Sequence, residues 1–232
     1  MTKIFTIFFL TLLCHSPVAK IYHFVGANFP GILTQNESGK FHGSAVEIIE
    51  KASKKLRFDY KISIVPWIRA IRMVENKKAD VLIGPYKTSK REETMIFTEN
   101  YFYKDSIILV TLAKNKFKWN GDLSSIKEKK VGVVRGWALG KKFEKESDNL
   151  DITYSESTTN LVRMLKRGRL DLAIVHNRSF LDDLNSHTVN REDYRILTPP
   201  LSSQKGYFAF SKEEKLKSFI QKFNSEIPLP KD

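Results

Sequence analysis

Arg91 follows an apolar run, Val81-Leu82-Ile83, that closes on Gly84-Pro85. Such a run reads as a buried strand ending in a turn. In open α/β sheets, ligands sit beyond the carboxyl ends of strands, so residues 84–91 form the candidate site. Arg91 is its only side chain with a forked donor matched to a carboxylate. His176 is the one candidate for acid–base work, although a lone histidine is more commonly a structural contact. The five histidines (His15, His23, His42, His176 and His187) show no metal-ligand spacing. No Ser-His-Asp pattern, phosphate-cradling glycine loop or paired-carboxylate site stands out. No metal, cofactor or catalytic residue is expected.

The elements that would position Arg91 follow from periodicity. Trp67, Ala70, Ile71 and Val74 recur at the spacing of an amphipathic helix before the strand. Upstream, Ile21–Gly26 reads as a strand, Asn28–Gly31 as a turn and Asn36–Gly39 as a hairpin tip. Ala45, Ile48, Ile49, Ala52 and Leu56 mark one helical face, and Phe58–Val65 alternates like a strand. The order β-α-β-α-β implies a parallel sheet with right-handed crossovers.

A second block repeats this order. Lys130–Val134, Leu150–Tyr154 and Leu170–Val175 read as strands, Ala138–Glu146 and Thr158–Arg167 as helices, with Gly168 just past the second helix. Arg72-Met73-Val74 through Lys78-Ala79-Asp80-Val81 lines up with Arg163-Met164-Leu165 through Arg169-Leu170-Asp171-Leu172. Ser106–Leu112 reads as a strand leaving the first block and Gly206–Phe210 as a strand returning to it. Leu216, Phe219, Ile220, Phe223 and Ile227 line one face of a last helix. The expected α/β architecture is two lobes, each with a mainly parallel sheet, joined by crossing segments near 103–112 and 198–208. The expected divisions are a signal peptide over 1–19, lobe 1 over 20–105, lobe 2 over 106–200 and a return segment over 201–232. A ligand cleft and hinged closure would lie between the lobes.

Composition narrows the partners. Lys3 precedes an apolar run, Ile4–Leu13, too short to span a bilayer as a helix and read as a secretory signal cleaved after Ala19. The alternatives are a buried N-terminal strand, or lipidation at Cys14, the single cysteine. Cleavage after Ala19 would leave no thiol chemistry. The net charge of +13 is carried by lysines scattered as singlets and pairs, so a solvated surface is expected and no nucleic-acid partner.

From Tyr22 to Ser211 these features resemble the bacterial extracellular solute-binding proteins of family 3, the polar amino-acid type. The resemblance rests on Gly39-x-x-x-Gly43-x-x-x-Glu47, Pro66-Trp67, Asp80-Val81-x-Ile83, Thr88-x-x-Arg91, Phe97-Thr98, Lys130-Val131-Gly132-Val133 and Gly168-Arg169-Leu170-Asp171. It implies a periplasmic binding protein-like type II fold in which Arg91 grips a ligand carboxylate. It also implies ligand-pocket places for Trp67, Phe29, Gly84, Tyr86 and Thr88. In the second lobe the matching loop holds Arg135, Gly136, Trp137 and Ala138. The position of the family's amine-binding carboxylate falls on His176, which offers no fixed negative charge. A standard amino acid therefore fits poorly, and Arg91, Arg135 and Arg69 would suit a dicarboxylate or an amine-blocked acid.

The expected function is periplasmic binding of a small carboxylate-bearing solute by a monomer that serves an ABC permease or a membrane sensor. An interaction module with a degenerate pocket is the alternative, and a dehydratase-like enzyme using His176 a further one.

Overall fold

The structure, a computed structural model, describes residues 20–186 and 189–228. The expected signal peptide, with Cys14 and His15, lies outside the described residues, as does His187.

The chain begins with β1 (Ile21–Gly26), a small hairpin of β2 (Thr34–Gln35) and β3 (Phe41–His42), and α1 (Ser44–Leu56). Then come β4 (Asp59–Ile64), α2 (Trp67–Glu75), β5 (Val81–Tyr86), α3 (Ser89–Thr94) and β6 (Met95–Phe97). A long strand, β7 (Tyr103–Leu112), leads to β8 (Lys130–Val134), α4 (Lys141–Glu146), β9 (Asp151–Ser155), α5 (Thr158–Lys166), β10 (Leu172–His176) and α6 (Asn177–Asn185). The return strand is β11 (Tyr194–Ser211), followed by α7 (Lys217–Asn224).

The long strands run in one sheet, ordered β4-β1-β5-β11-β7-β10-β8-β9, with β6 joined to β11. β4, β1 and β5 are mutually parallel, as are β10, β8 and β9. Between these triplets β11 and β7 pair antiparallel and cross from one lobe to the other. The fold is thus the two-lobed type II arrangement, with its two parallel sets fused through the crossing pair.

β6 was not read from the sequence, β7 starts at Tyr103 and not Ser106, and three further departures have a clear physical reason. β11 begins at Tyr194, twelve residues before Gly206, because its register shifts between Leu197 and Ser202 and so absorbs Thr198-Pro199-Pro200. Proline, lacking an N–H, is tolerated in strands at such irregularities. α4 starts at Lys141 and not Ala138: Gly140 stands at φ +107°, outside helical space. α6 was not expected at all.

Helices cover the sheet through the stripes their spacing implies. α2 buries Ala70 and Val74 beside Val25 and Leu82. α5 buries Leu161, Val162 and Leu165 beside Ala173 and Val175. α7 lays Phe219 flat on Tyr22, centroids 3.7 Å apart, and sets Phe223 among Phe24, Phe208 and Phe210. Each fully buried phenylalanine contributes about 1.5–3 kcal/mol.

An aspartate clamp recurs in both lobes. Asp80 accepts the His23 amide on its carboxylate at 2.8 Å and donates its own amide to the His23 carbonyl at 2.9 Å. Asp171 does the same with Lys130, at 2.8 and 2.9 Å. Each clamp ties the start of the third parallel strand to the start of the first.

Candidate functional site

A cavity of about 50 Å³ lies where the carboxyl ends of β1, β5, β8 and β10 converge. The first lobe supplies the Ala27–Phe29 loop, Trp67 at the start of α2, the end of β5, and Arg91. The second supplies Trp137 and Ala138 after β8, and His176 at the end of β10.

Arg91 is 9% exposed, on the short helix α3. Thr88 caps that helix, accepting the Arg91 amide at 3.3 Å. The guanidinium donates from Nη1 to the Tyr86 carbonyl at 2.7 Å and from Nη2 across the cleft to the Gly136 carbonyl at 2.9 Å. Its carbon lies 5.5 Å from the Trp67 ring centroid. Among the described residues it makes no ion pair. Burial pushes its pKa down, a cost that the tyrosines and Glu144 only offset in part. A desolvated cation resting on neutral carbonyls is electrostatically incomplete, and a carboxylate would complete it.

Gly136 is one of the points where the lobes touch. Its carbonyl also accepts Trp67 Nε1 at 3.0 Å. Its φ of +77° suits glycine, and a Cβ there would sit 2.2 Å from Ile68 Cδ1.

His176 is 6% exposed and lies in an aromatic sandwich. Trp137 stacks on it at 3.6 Å and 8°, while Phe29 and Tyr86 approach at 5.2 and 5.4 Å. Neither ring nitrogen has a hydrogen-bond partner among the described residues. Burial, reinforced by the charge of Arg178, lowers its pKa to about 3, so the imidazole is neutral at ordinary pH.

The cavity thus brings together Arg91, Trp67, Tyr86, Gly84, Phe29, Trp137 and His176. Thr88 is not on its wall and acts on α3 instead. Arg135 lies outside as well: its Nε reaches Glu156 at 3.2 Å and its guanidinium covers Tyr154 at 5.2 Å. Arg69 is exposed on α2. The cavity therefore offers one cation rather than the two or three expected. Sequence reasoning missed Tyr103, whose hydroxyl donates to the Gly84 carbonyl at 2.6 Å. A Cβ on Gly206 would lie 1.8 Å from its ring, so that glycine makes its room. Asn28 was read only as turn chemistry but also lines the cavity.

Two α/β lobes, two crossing strands and a cavity between strand ends define a two-lobed binding protein. The chain matches the model of the bacterial extracellular solute-binding proteins, family 3, over residues 24–228 and belongs to that family. It is similar to a probable histidine-binding protein of Neisseria gonorrhoeae, 27% identical over 159 residues, covering 67% of this chain and 58% of that protein. Among solved structures it resembles a Gly52Ala mutant of arginine-bound ArgBP from T. maritima, with TM-score 0.74 and 22% identity over 89% of this chain and 93% of that one. A histidine kinase sensor domain with similarity to periplasmic binding proteins shares the fold at TM-score 0.78 and 14% identity, covering 90% and 89%. The family, the Neisseria relative and ArgBP are named as binding proteins rather than enzymes. No helix among the described residues is long and apolar enough to cross a membrane.

Proposed function

We propose that the protein binds a small carboxylate-bearing solute in the cleft, with its lobes closing about β7 and β11. The observation that carries this is Arg91, a nearly buried guanidinium with no ion pair among the described residues. An incoming carboxylate would take over the donor now resting on the Gly136 carbonyl, while Nη1 stays on Tyr86. Trp67, Phe29, Tyr86 and Trp137 would wall the ligand, Gly84 would let Tyr103 approach, and Thr88 would hold Arg91's helix. Lobe 1 then comprises residues 20–105 and 201–232, and lobe 2 residues 106–200, behind a signal peptide over 1–19. Exported to the periplasm as a monomer, the protein would deliver its solute to an ABC-type permease or report it to a membrane sensor.

A thermal-shift screen of carboxylates tests this, because a ligand that binds only the folded state raises the melting temperature. At least one small carboxylate should raise it in the natural protein and fail to do so in Arg91→Ala. Equal shifts in both proteins would sink the reading.

A further inference from the structure

The cavity wall carries few groups that ionise: Arg91, His176, Tyr86 and Tyr103. Among the described residues no aspartate or glutamate lines it. Asp105, whose charge acts on both tyrosines, is 6% exposed, faces Arg178 at 3.5 Å and borders a different hollow. Glu144 and Glu75 border another hollow together with α3. Two backbone acceptors beside Arg91 are already engaged. The Gly84 carbonyl takes the Tyr103 hydroxyl, and the Tyr86 carbonyl takes Arg91. Glu156, Asp182 and Asp183 border a third hollow, which shares Ala27, Asn28, Trp67 and Trp137 with the cavity; there Glu156 pairs with Arg135 and Asp183 accepts from Thr159. An ammonium brought into the cavity would shed its water and meet no fixed negative charge on the wall itself.

His176 offers something different. A neutral imidazole has one donor and one acceptor nitrogen, and both are unspent here. Trp137, Phe29 and Tyr86 hold the ring in place. Tyr86 also links it to the carboxylate grip, because its ring packs on His176 while its carbonyl holds Arg91. The wall therefore presents one cation and, beside it, a neutral imidazole held in place with both ring nitrogens buried and unpaired among the described residues, next to the Tyr86 hydroxyl, which is also unpaired.

We propose that the site selects a carboxylate whose neighbouring polar group is uncharged (a hydroxy, oxo or acylated-amino acid) over a free amino-acid zwitterion, and that His176 makes this choice. The proposal deepens the carboxylate reading and rests on it. A polar group aimed at a matching ligand group discriminates strongly against a ligand that cannot satisfy it.

Matched ligands test it: lactate and pyruvate against alanine, and phenyllactate and phenylpyruvate against phenylalanine, measured by calorimetry on the full chain. The amine-free acids should bind the natural protein on the order of tenfold tighter or more than their amino-acid partners. His176→Asn, which keeps a neutral donor and acceptor, should retain that order, and His176→Asp should reverse it. If the amino acids bind equally or more tightly in the natural protein, and Arg91→Ala abolishes that binding, the selectivity proposal falls while the carboxylate reading stands. If none of these acids binds, or binding survives Arg91→Ala, the carboxylate reading fails and takes the selectivity with it. The natural-protein comparison decides the matter even if His176→Asp does not fold.

Discussion

Ala79-Asp80-Val81 in one lobe and Leu170-Asp171-Leu172 in the other perform the same structural task with the same bonds. Both aspartates lock the third parallel strand to the first, and both helices before them end on a residue at positive φ, Lys77 at 58° and Gly168 at 66°. Ninety-one positions separate the members of each pair, counted from 80 to 171 and from 77 to 168. Past the third strand the lobes diverge. β5 ends in Gly84-Pro85-Tyr86 and leads to a capped helix that buries a cation, whereas β10 runs straight from His176 into α6. What is shared is therefore the frame that brings strand ends to a common point. What differs is the charge delivered there: positive from the first lobe, neutral from the second.

The largest expected effect concerns the cations of the two lobes. Arg91→Ala should weaken carboxylate binding by about 2–5 kcal/mol, since it removes the buried partner of a charged pair. Arg135→Ala should change it by less than about 0.5 kcal/mol, because its exposed ion pair lies outside the cavity. Calorimetry on the two variants checks this, and similar losses would erase the asymmetry.

Next comes the acid response of the second lobe. The unfolded histidine titrates near 6.5 and the folded one near 3, so the unfolded chain takes up the proton first. Stability should fall as pH drops from about 6.5 towards 3, by up to about 1.4 kcal/mol per unit. His176→Asn should lack this portion. Urea midpoints of both proteins at several pH values would expose it, and parallel curves would count against a neutral buried imidazole.

The clamps should behave alike. Asp80→Ala and Asp171→Ala should each cost about 1–3 kcal/mol in chemical unfolding. Asp80 should cost slightly more, because it also pairs with Lys20 at 2.9 Å. The smallest effect is a gain: Lys77→Gly should stabilise by up to about 1 kcal/mol by relieving a left-handed backbone, as Gly168 already does. Gly168→Lys should lose a similar amount.

Much of the frame was legible in the residues because it rests on periodicity. Ile21–Gly26 and Lys130–Val134 were bounded as observed, and all five residues of the last stripe are buried, although Leu216 and Ile227 lie just outside α7. α6 escaped because its inward residues are Phe180 and Asp183, one apolar anchor and one carboxylate, and because no turn separates it from β10. The early start of β11 escaped because proline signals a break, and only the pairing with β7 shows the break to be a shift of register. The placement of Arg91 was readable as a forked donor after a strand end. That of Arg135 was not: a loop arginine faces either the cleft or a neighbour, and Glu156 and Tyr154 settle it only in three dimensions. Tyr103 escaped because it opens β7 three residues before the strand the sequence marks, where nothing shows a hydroxyl to face a cavity.

The sequence contains three tryptophans, and their positions give the molecule an optical consequence. Trp67 and Trp137 face the cavity from opposite lobes, one bonded to the Gly136 carbonyl and one stacked on His176. Trp119 lies 7% exposed, its indole N–H 2.6 Å from the Pro199 carbonyl in the crossing strand β11. Indole emission follows the polarity and contacts of the ring, so cleft and crossing strand each contain a native chromophore. Separating the lobes would wet two of them and leave the third to report on the strand between, with no label attached.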